Sequence, residues 1–226
     1  MIAMSSGPYI GNAPQLGDAE RVLVTEYFKH SGADLQLAYF KLDLPDPSEL
    51  LKSVMWTHGV TTGLGHGDSA LFGYVPDLRG RPGKVKSEMS GEMIKWLYDA
   101  GRALTLKTIE LTGCRAPGSL HRKTFAGFYT TGVINRDNAM RYHHDSGNVE
   151  DSYTGVVFVN SGVKGGELLL PELGIALKPQ TCWGVIYRGD EFVHGAAPMT
   201  RVACNTDPSQ RGHRYSIVFH ERKGFK

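Results

Sequence analysis

The segment TGVVFVN at positions 154–160 is the first of four short segments that indicate a β fold. It is followed by GELLL at 166–170, GIALK at 174–178 and CWGVIY at 182–187, and turn residues divide each segment from the next. Valine, leucine and aromatic residues favour strands, whereas glycine and proline at the boundaries favour turns. No helical pattern interrupts the four segments. They therefore predict neighbouring short strands.

Similar segments flank this stretch on both sides. Together they predict eight short strands, at 124–130, 139–145, 154–160, 166–170, 174–178, 182–187, 191–199 and 213–221. Many short strands without intervening helices are typical of a closed or two-sheet β structure. We therefore predict an α+β, mainly β fold: a jelly-roll core of eight strands with an N-terminal helical buttress.

The N-terminal half is predicted to supply the helices and extra strands. The clearest helix spans 88–111, because Met93, Leu97 and Leu104 recur at helical spacing and Gly113 can end it. Such an apolar stripe is typical of a helix face packed on a sheet. The other predicted elements are a helix at 45–56 and strands at 34–44 and 70–75.

Length and composition restrict the class of protein. With 226 residues and 41% hydrophobic residues, we expect one folded domain over 1–226, with extra elements at 1–123 and the core at 124–221. The longest apolar runs have four residues, too few for a membrane span of about 20. Three cysteines without a CxxC spacing, and no basic residue before Arg21, indicate an intracellular protein, nuclear or cytoplasmic, that is not secreted. We further expect a monomer.

Three residues are candidate metal ligands. His143 and Asp145 are two apart near the end of a predicted strand, so their side chains would project to the same side. One imidazole and one carboxylate form most of a 2-His-1-carboxylate triad, which leaves positions open on Fe(II). His194, in the seventh predicted strand, is the candidate for the third ligand, and Gly195 would allow close backbone approach there.

Other histidines are weaker candidates. A second His-x-Asp pair, His66 and Asp68, falls in a glycine-rich segment that is predicted to be a loop, and about 0.5 such pairs are expected by chance. We interpret this pair as a decoy. His144 is predicted to face away from the barrel and to be structural.

Arg214 and Ser216 open the eighth predicted strand and share one face. A guanidinium group inside a barrel needs an anionic partner, because burying it unpaired is costly. Its fork suits a small diacid held through two hydrogen bonds, and the serine hydroxyl would add another. Arg201, which follows His194 more closely, remains an alternative anchor.

The order HxD, His, RxS resembles the Fe(II)/2-oxoglutarate-dependent dioxygenases. The resemblance covers about 124–221 and implies a double-stranded β-helix, Fe(II) on His143, Asp145 and His194, 2-oxoglutarate on Arg214 and Ser216, and O2 as oxidant. The family oxidises C–H bonds by hydrogen abstraction. One departure is the long interval between His194 and Arg214, whose polar residues 205–210 predict an elongated hairpin.

The run YHHDSGN, with TGVVFVN, GGELLLPELGIAL and GDEFVHGAAPM, is similar to the TET/JBP-type enzymes. These oxidise the 5-methyl group of cytosine or thymine in DNA, so the resemblance implies DNA as partner. Such a base must be flipped into the pocket. By resemblance Asn148 would contact the base edge, and by strand alternation His220 and Arg222 would face the same pocket as candidate substrate-binding residues.

A basic cluster is the candidate for DNA contact. It comprises Arg79, Arg81, Lys84 and Lys86, although the net charge of +2 does not by itself indicate a nucleic-acid binder. Two alternatives remain open. The first is a prolyl 4-hydroxylase-like protein or small-molecule hydroxylase with the same metal site, and the second is a non-catalytic β-helix binding module.

Overall fold

The computed structural model describes residues 21–56, 65–76, 82–84, 89–113, 124–201 and 212–223. The helices are α1 (Ser48–Leu51) and α2 (Gly91–Thr112). The strands are β1 (Arg21–Leu23), β2 (Tyr27–Ser31), β3 (Asp34–Lys41), β4 (Gly65–Pro76), β5 (Pro82–Lys84), β6 (Thr131–Met140), β7 (Thr154–Ser161), β8 (Val163–Gly165), β9 (Leu168–Leu170), β10 (Ile175–Leu177), β11 (Trp183–Tyr187), β12 (Gly195–Ala196), β13 (Met199–Arg201) and β14 (His213–His220). None of the described helices is long and apolar enough to cross a membrane.

Two sheets form the body of the fold. The large sheet has the order β2-β3-β11-β7-β14-β6-β4-β5, and the small sheet has the order β1-β10-β9-β12. Their facing sides share an apolar core, to which Phe158 of the large sheet and Leu168 of the small sheet both belong. A further pair, β13 and β8, is antiparallel. This arrangement confirms the predicted double-stranded β-helix.

Strand β14 shows how the large sheet separates its two faces. Ile217 and Phe219 pack in the core under the helices, whereas Arg214, Ser216 and His220 line a cavity between the sheets. Successive side chains of a strand point to opposite faces, so β14 contributes side chains both to the core under the helices and to the cavity. Arg214 and Ser216 were predicted to share the inner face of this strand, and both line the cavity between the sheets.

Helix α2 is the predicted buttress. Ser90 caps it by accepting a hydrogen bond from the backbone N–H of Met93, and Gly113 ends it at φ 64°. Leu97 and Leu104 are fully buried against the outer face of the large sheet. The helix therefore covers an apolar surface that the small sheet cannot reach.

Removing side-chain volume under α2 should destabilise the fold. Leu104→Ala would leave a cavity at a site with no solvent exposure, and we expect a loss of about 2–5 kcal/mol in the free energy of unfolding. Leu106, on the same helix, is 61% exposed, so Leu106→Ala should change that energy by less than about 0.5 kcal/mol. Chemical denaturation of both variants measures the difference. Equal losses would contradict the packing described for α2.

Several predictions of local structure were wrong. Residues 124–130 and 141–145 are not strands; one strand, β6, stands in place of the two predicted there and pairs with both β14 and β4. The strand predicted at 191–199 is reduced to β12 and the first residue of β13. The predicted helix at 45–56 is reduced to the single turn of α1. The glycine-rich segment of His66 and Asp68 is not a loop, because it belongs to β4, which pairs with β6.

Candidate metal centre

The three candidate ligands come from two segments joined by backbone hydrogen bonds. His143 and Asp145 lie just beyond β6, in irregular chain rather than in a strand as predicted, and His194 immediately precedes β12. The N–H of His143 donates to the carbonyl of His194 over 2.9 Å, and the reverse bond is 3.0 Å long. This isolated bridge fixes the two imidazoles side by side, with their ring centroids 4.3 Å apart.

The donor atoms converge on one point. Nε2 of His143 and Nε2 of His194 each lie 3.7 Å from Oδ1 of Asp145, and the three ligand atoms are all within 4.8 Å of one another. Nδ1 of each ring contacts a carbonyl oxygen, that of Arg141 at 2.8 Å and that of Phe192 at 3.0 Å. A carbonyl only accepts, so Nδ1 carries the proton and Nε2 keeps its lone pair for a metal.

Asp145 is oriented by its second oxygen. Thr154 donates its hydroxyl to Oδ2 over 2.9 Å, and Nδ2 of Asn148 lies 3.5 Å from the same atom. The backbone N–H of Asp145 donates to the carbonyl of Gly189 over 2.7 Å. With Oδ2 engaged in this way, Oδ1 faces the two imidazoles and is left for a cation.

The electrostatics of the cluster favour a cation. Burial alone would raise the pKa of Asp145, but His194, His220 and His143 outweigh it and lower that pKa to about 2. Burial lowers the pKa of His194 to about 4. At neutral pH the carboxylate is therefore ionised and the His194 imidazole is neutral, which are the protonation states that metal coordination requires.

Arg214 forms the other end of the same cavity. It is only 2% exposed, and Nη1 donates to the Ser216 hydroxyl over 3.0 Å, while Nε has no hydrogen-bond partner among the residues that the structure describes. Within the described ranges no carboxylate lies at ion-pair distance from its guanidinium. Burial lowers the pKa of Arg214 to about 10, so it remains a cation at neutral pH. A buried cation with an unused donor fits a small anion such as the distal carboxylate of a dicarboxylate.

The candidate substrate residues line this cavity too. His220 is buried, and its Nδ1 lies 3.7 Å from Oδ2 of Asp145 and has no hydrogen-bond partner in the described part of the chain. Arg222 lies against Gly147, where a β-carbon would overlap its guanidinium. Asn148 contributes to the wall with most of its surface buried. The structure thus brings all three beside the candidate ligands, while their role in binding a substrate remains a prediction.

Several predicted features lie outside the described residues. Arg79, Arg81 and Lys86 are among them, and for Lys84 only the backbone, in β5, is described. The same is true of the predicted hairpin at 205–210. Arg201 lies in β13, which pairs with β8, and its side chain is likewise not described.

Two other predictions concern histidine segments. Asp68 accepts a hydrogen bond from Nε of Arg136 over 3.0 Å on the large sheet and is not among the residues that line the cavity, while the side chain of His66 lies outside the described residues. His144, which was predicted to face away from the barrel, is among the residues that line the cavity, and its structural role stays a prediction. The chain leaves regular β geometry after Met140, so strand alternation does not apply there.

Two residues of the site were missed by sequence reasoning. Thr154 opens β7 and orients Asp145, as described above. Tyr187 is opposite Thr154 in the register of β11 and β7, and its ring meets that of His194 edge-on at 5.0 Å. Only a strand register would have revealed them, because no short motif links either residue to the His-x-Asp segment.

Comparisons with known proteins bear on the fold. No protein-family model matches the sequence, and no curated protein matches it. The solved structure of NgTET1 in complex with 5mC DNA is 16% identical, with a TM-score of 0.64 over 96% of this chain and 85% of its own. OsALKBH1 is 12% identical, with a TM-score of 0.50 over 87% of this chain and 100% of its own. A prolyl-4-hydroxylase from Pseudomonas putida is 13% identical, with a TM-score of 0.41 over 74% and 77%. The first two similarities show a shared fold.

Proposed function

We propose that this chain is an Fe(II)- and 2-oxoglutarate-dependent dioxygenase that oxidises the 5-methyl group of a methylated pyrimidine in DNA. The observation that carries the proposal is the shared cavity: a His-Asp-His cluster is at one end, and at the other is a buried Arg214 with no carboxylate at ion-pair distance among the described residues. Two imidazoles and one carboxylate suit Fe(II), and they leave coordination positions for other ligands. The guanidinium and the Ser216 hydroxyl suit the distal carboxylate of 2-oxoglutarate.

The reaction balances without any further reductant. The methyl group, 2-oxoglutarate and O2 become a hydroxymethyl group, succinate and CO2, with one oxygen atom entering succinate and the other entering the base. Bound iron would supply the activation of O2. The protein's own residues would hold 2-oxoglutarate through Arg214, keep the ligands oriented through Thr154, and place the methyl group beside the cluster.

Two observations support DNA as the substrate class. The fold extends over 96% of the chain onto NgTET1, which was solved with 5mC DNA. Beside the cluster, Asn148, His220 and Arg222 offer hydrogen-bonding groups to a flipped base. An enzyme acting on a stacked base needs such groups next to its reacting centre.

Product analysis tests the substrate directly. The purified protein would be incubated with Fe(II), ascorbate, 2-oxoglutarate and duplex DNA containing 5-methylcytosine, and the nucleosides analysed by mass spectrometry. We expect 5-hydroxymethylcytosine or a more oxidised base, dependent on both Fe(II) and 2-oxoglutarate. Succinate formation without any oxidised base would contradict DNA as substrate, and would favour a protein or small-molecule hydroxylase.

DNA binding should depend on salt. Phosphate contacts release counterions, so the logarithm of affinity should fall with the logarithm of salt by about 0.9 per contact. Replacing Arg79, Arg81, Lys84 and Lys86 with glutamine should weaken binding to duplexes of any sequence and flatten this slope, while turnover of 2-oxoglutarate without DNA persists. Fluorescence anisotropy at several salt concentrations measures both.

A matched control comes from the helices. Lys52, which follows α1 directly, and Lys95, in α2, are exposed, and each is paired with an acidic residue three or four positions away. The double variant Lys52→Gln, Lys95→Gln should bind DNA as the wild type does. A quadruple variant with unchanged affinity and slope would remove the basic cluster from the DNA interface.

A further inference from the structure

Asp137 lies at a bulge beside the start of β14. The register of β6 and β14 ends with the pair Arg136 and Tyr215, and the register of β6 and β4 shifts at the same place. Asp137, the next residue of β6, has a φ of 52°. A left-handed residue within a strand is typical of a β-bulge, which redirects side chains, and aspartate tolerates this conformation better than most residues. The bulge directs the Asp137 side chain to the start of β14.

Both carboxylate oxygens of Asp137 accept hydrogen bonds from the residues that begin β14. Oδ1 accepts from the backbone N–H of Arg214 over 2.9 Å, and Oδ2 lies 2.6 Å from Nδ1 of His213. A carboxylate accepts, so Nδ1 of His213 is the donor. A side-chain oxygen thus takes the place of a backbone carbonyl of the neighbouring strand. It fixes the backbone from which the Arg214 side chain enters the cavity.

This arrangement leaves the guanidinium of Arg214 available to a ligand. Burial lowers the pKa of Arg214, and the negative charge of Asp137 does most to raise it again. Asp137 nevertheless contacts the backbone of Arg214, whose Nε has no hydrogen-bond partner among the described residues. Asp137 is also not among the residues that line the cavity. A nearby charge therefore stabilises the buried cation without occupying the donors that a dicarboxylate needs.

We infer that Asp137 is a positioning residue for the cosubstrate, which it holds in register through the backbone of Arg214 without touching it. The inference rests on the proposed function, in which Arg214 binds the distal carboxylate of 2-oxoglutarate. Without the hydrogen bond to Asp137 the start of β14 would shift, and the guanidinium fork would no longer meet that carboxylate squarely. Binding of the distal carboxylate should weaken, whereas binding of the 2-oxo acid group at the other end should not.

A matched pair of ligands isolates the distal carboxylate. 2-Oxobutyrate is 2-oxoglutarate without that group, so the ratio of their dissociation constants measures what the Arg214 end of the cavity contributes. Calorimetric titration of the protein loaded with Mn(II) in place of Fe(II) gives both constants without turnover. We expect the wild type to bind 2-oxoglutarate about tenfold more tightly or better. A ratio near one would overturn the proposed role of Arg214 and the inference together.

Two replacements of Asp137 test the hydrogen bond. Asp137→Asn and Asp137→Gly both remove the charge and both tolerate a φ of 52°, but only asparagine keeps an acceptor for the N–H of Arg214. The comparison between them therefore isolates the hydrogen bond. We expect the ratio in Asp137→Gly to be about fivefold lower than in Asp137→Asn. Equal ratios, in a protein whose wild type prefers 2-oxoglutarate, would overturn the inference and leave the proposed function standing.

His213→Ala gives a second test if Asp137→Gly does not fold, which thermal unfolding would show. The imidazole holds Oδ2 of Asp137 and its side chain is 31% exposed, so its removal should loosen Asp137 while the fold remains. We expect the ratio of dissociation constants to fall by about twofold or more. Where Asp137→Gly is unfolded, a wild-type ratio in His213→Ala would overturn the inference.

Discussion

Replacing any one of the three candidate ligands should abolish turnover while the fold remains. His143→Ala, Asp145→Ala and His194→Ala each leave two ligands, and we expect iron content to fall and kcat to drop on the order of 100-fold or more. The backbone bridge between His143 and His194 does not involve their side chains, so it can persist in these variants. Metal analysis and turnover of 2-oxoglutarate give the two readouts.

The matched control is His30→Ala. His30 is an exposed residue of β2, and its replacement should leave iron content and turnover unchanged. Circular dichroism and thermal unfolding would check that each ligand variant is folded. Activity close to that of the wild type in any of the three ligand variants would refute the assignment of the triad.

Replacing Arg214 should raise the requirement for 2-oxoglutarate steeply. A charged hydrogen bond is worth about 1.5–3 kcal/mol, so Arg214→Ala should raise the apparent KM for 2-oxoglutarate by about 10- to 150-fold. Arg214→Lys keeps the charge but loses the fork, and we expect an intermediate rise. Initial rates measured against 2-oxoglutarate concentration provide the test.

Arg201→Ala separates the two candidate anchors. Since Arg214 is the arginine buried in the cavity beside Ser216, Arg201→Ala should leave the KM for 2-oxoglutarate near that of the wild type. The reverse pattern, a large effect at Arg201 and none at Arg214, would show that the closer arginine binds the cosubstrate.

The sequence predicted the parts of the site that lie on regular strands. In β14, simple alternation placed Arg214 and Ser216 on one face, because strand geometry is local. The buttressing helix was predictable for the same reason. Its stripe repeats with the helical period and Gly113 marks its end.

The remaining errors come from contacts between distant segments. Strand β6 carries Asn135, Arg136 and Asp137 in its centre. Such a polar run lacks the apolar pattern from which a strand is predicted, and β6 is stabilised instead by partner strands on both sides. Asp137 also has a φ of 52°, which interrupts the alternation. His143 and Asp145 do converge, but through a bridge to His194 that no local pattern encodes.

The measurement that tests the proposed function most directly is the stoichiometry of its two products. Succinate and oxidised pyrimidine would be quantified in the same reaction, with iron-loaded protein, 2-oxoglutarate and DNA containing 5-methylcytosine. We predict one succinate for each oxidation of the base, once the succinate formed in a parallel reaction without DNA is subtracted, with both products lost in His194→Ala. Succinate that forms at the same rate with and without DNA, and no oxidised base, would contradict the assignment of a methylated pyrimidine in DNA as the substrate.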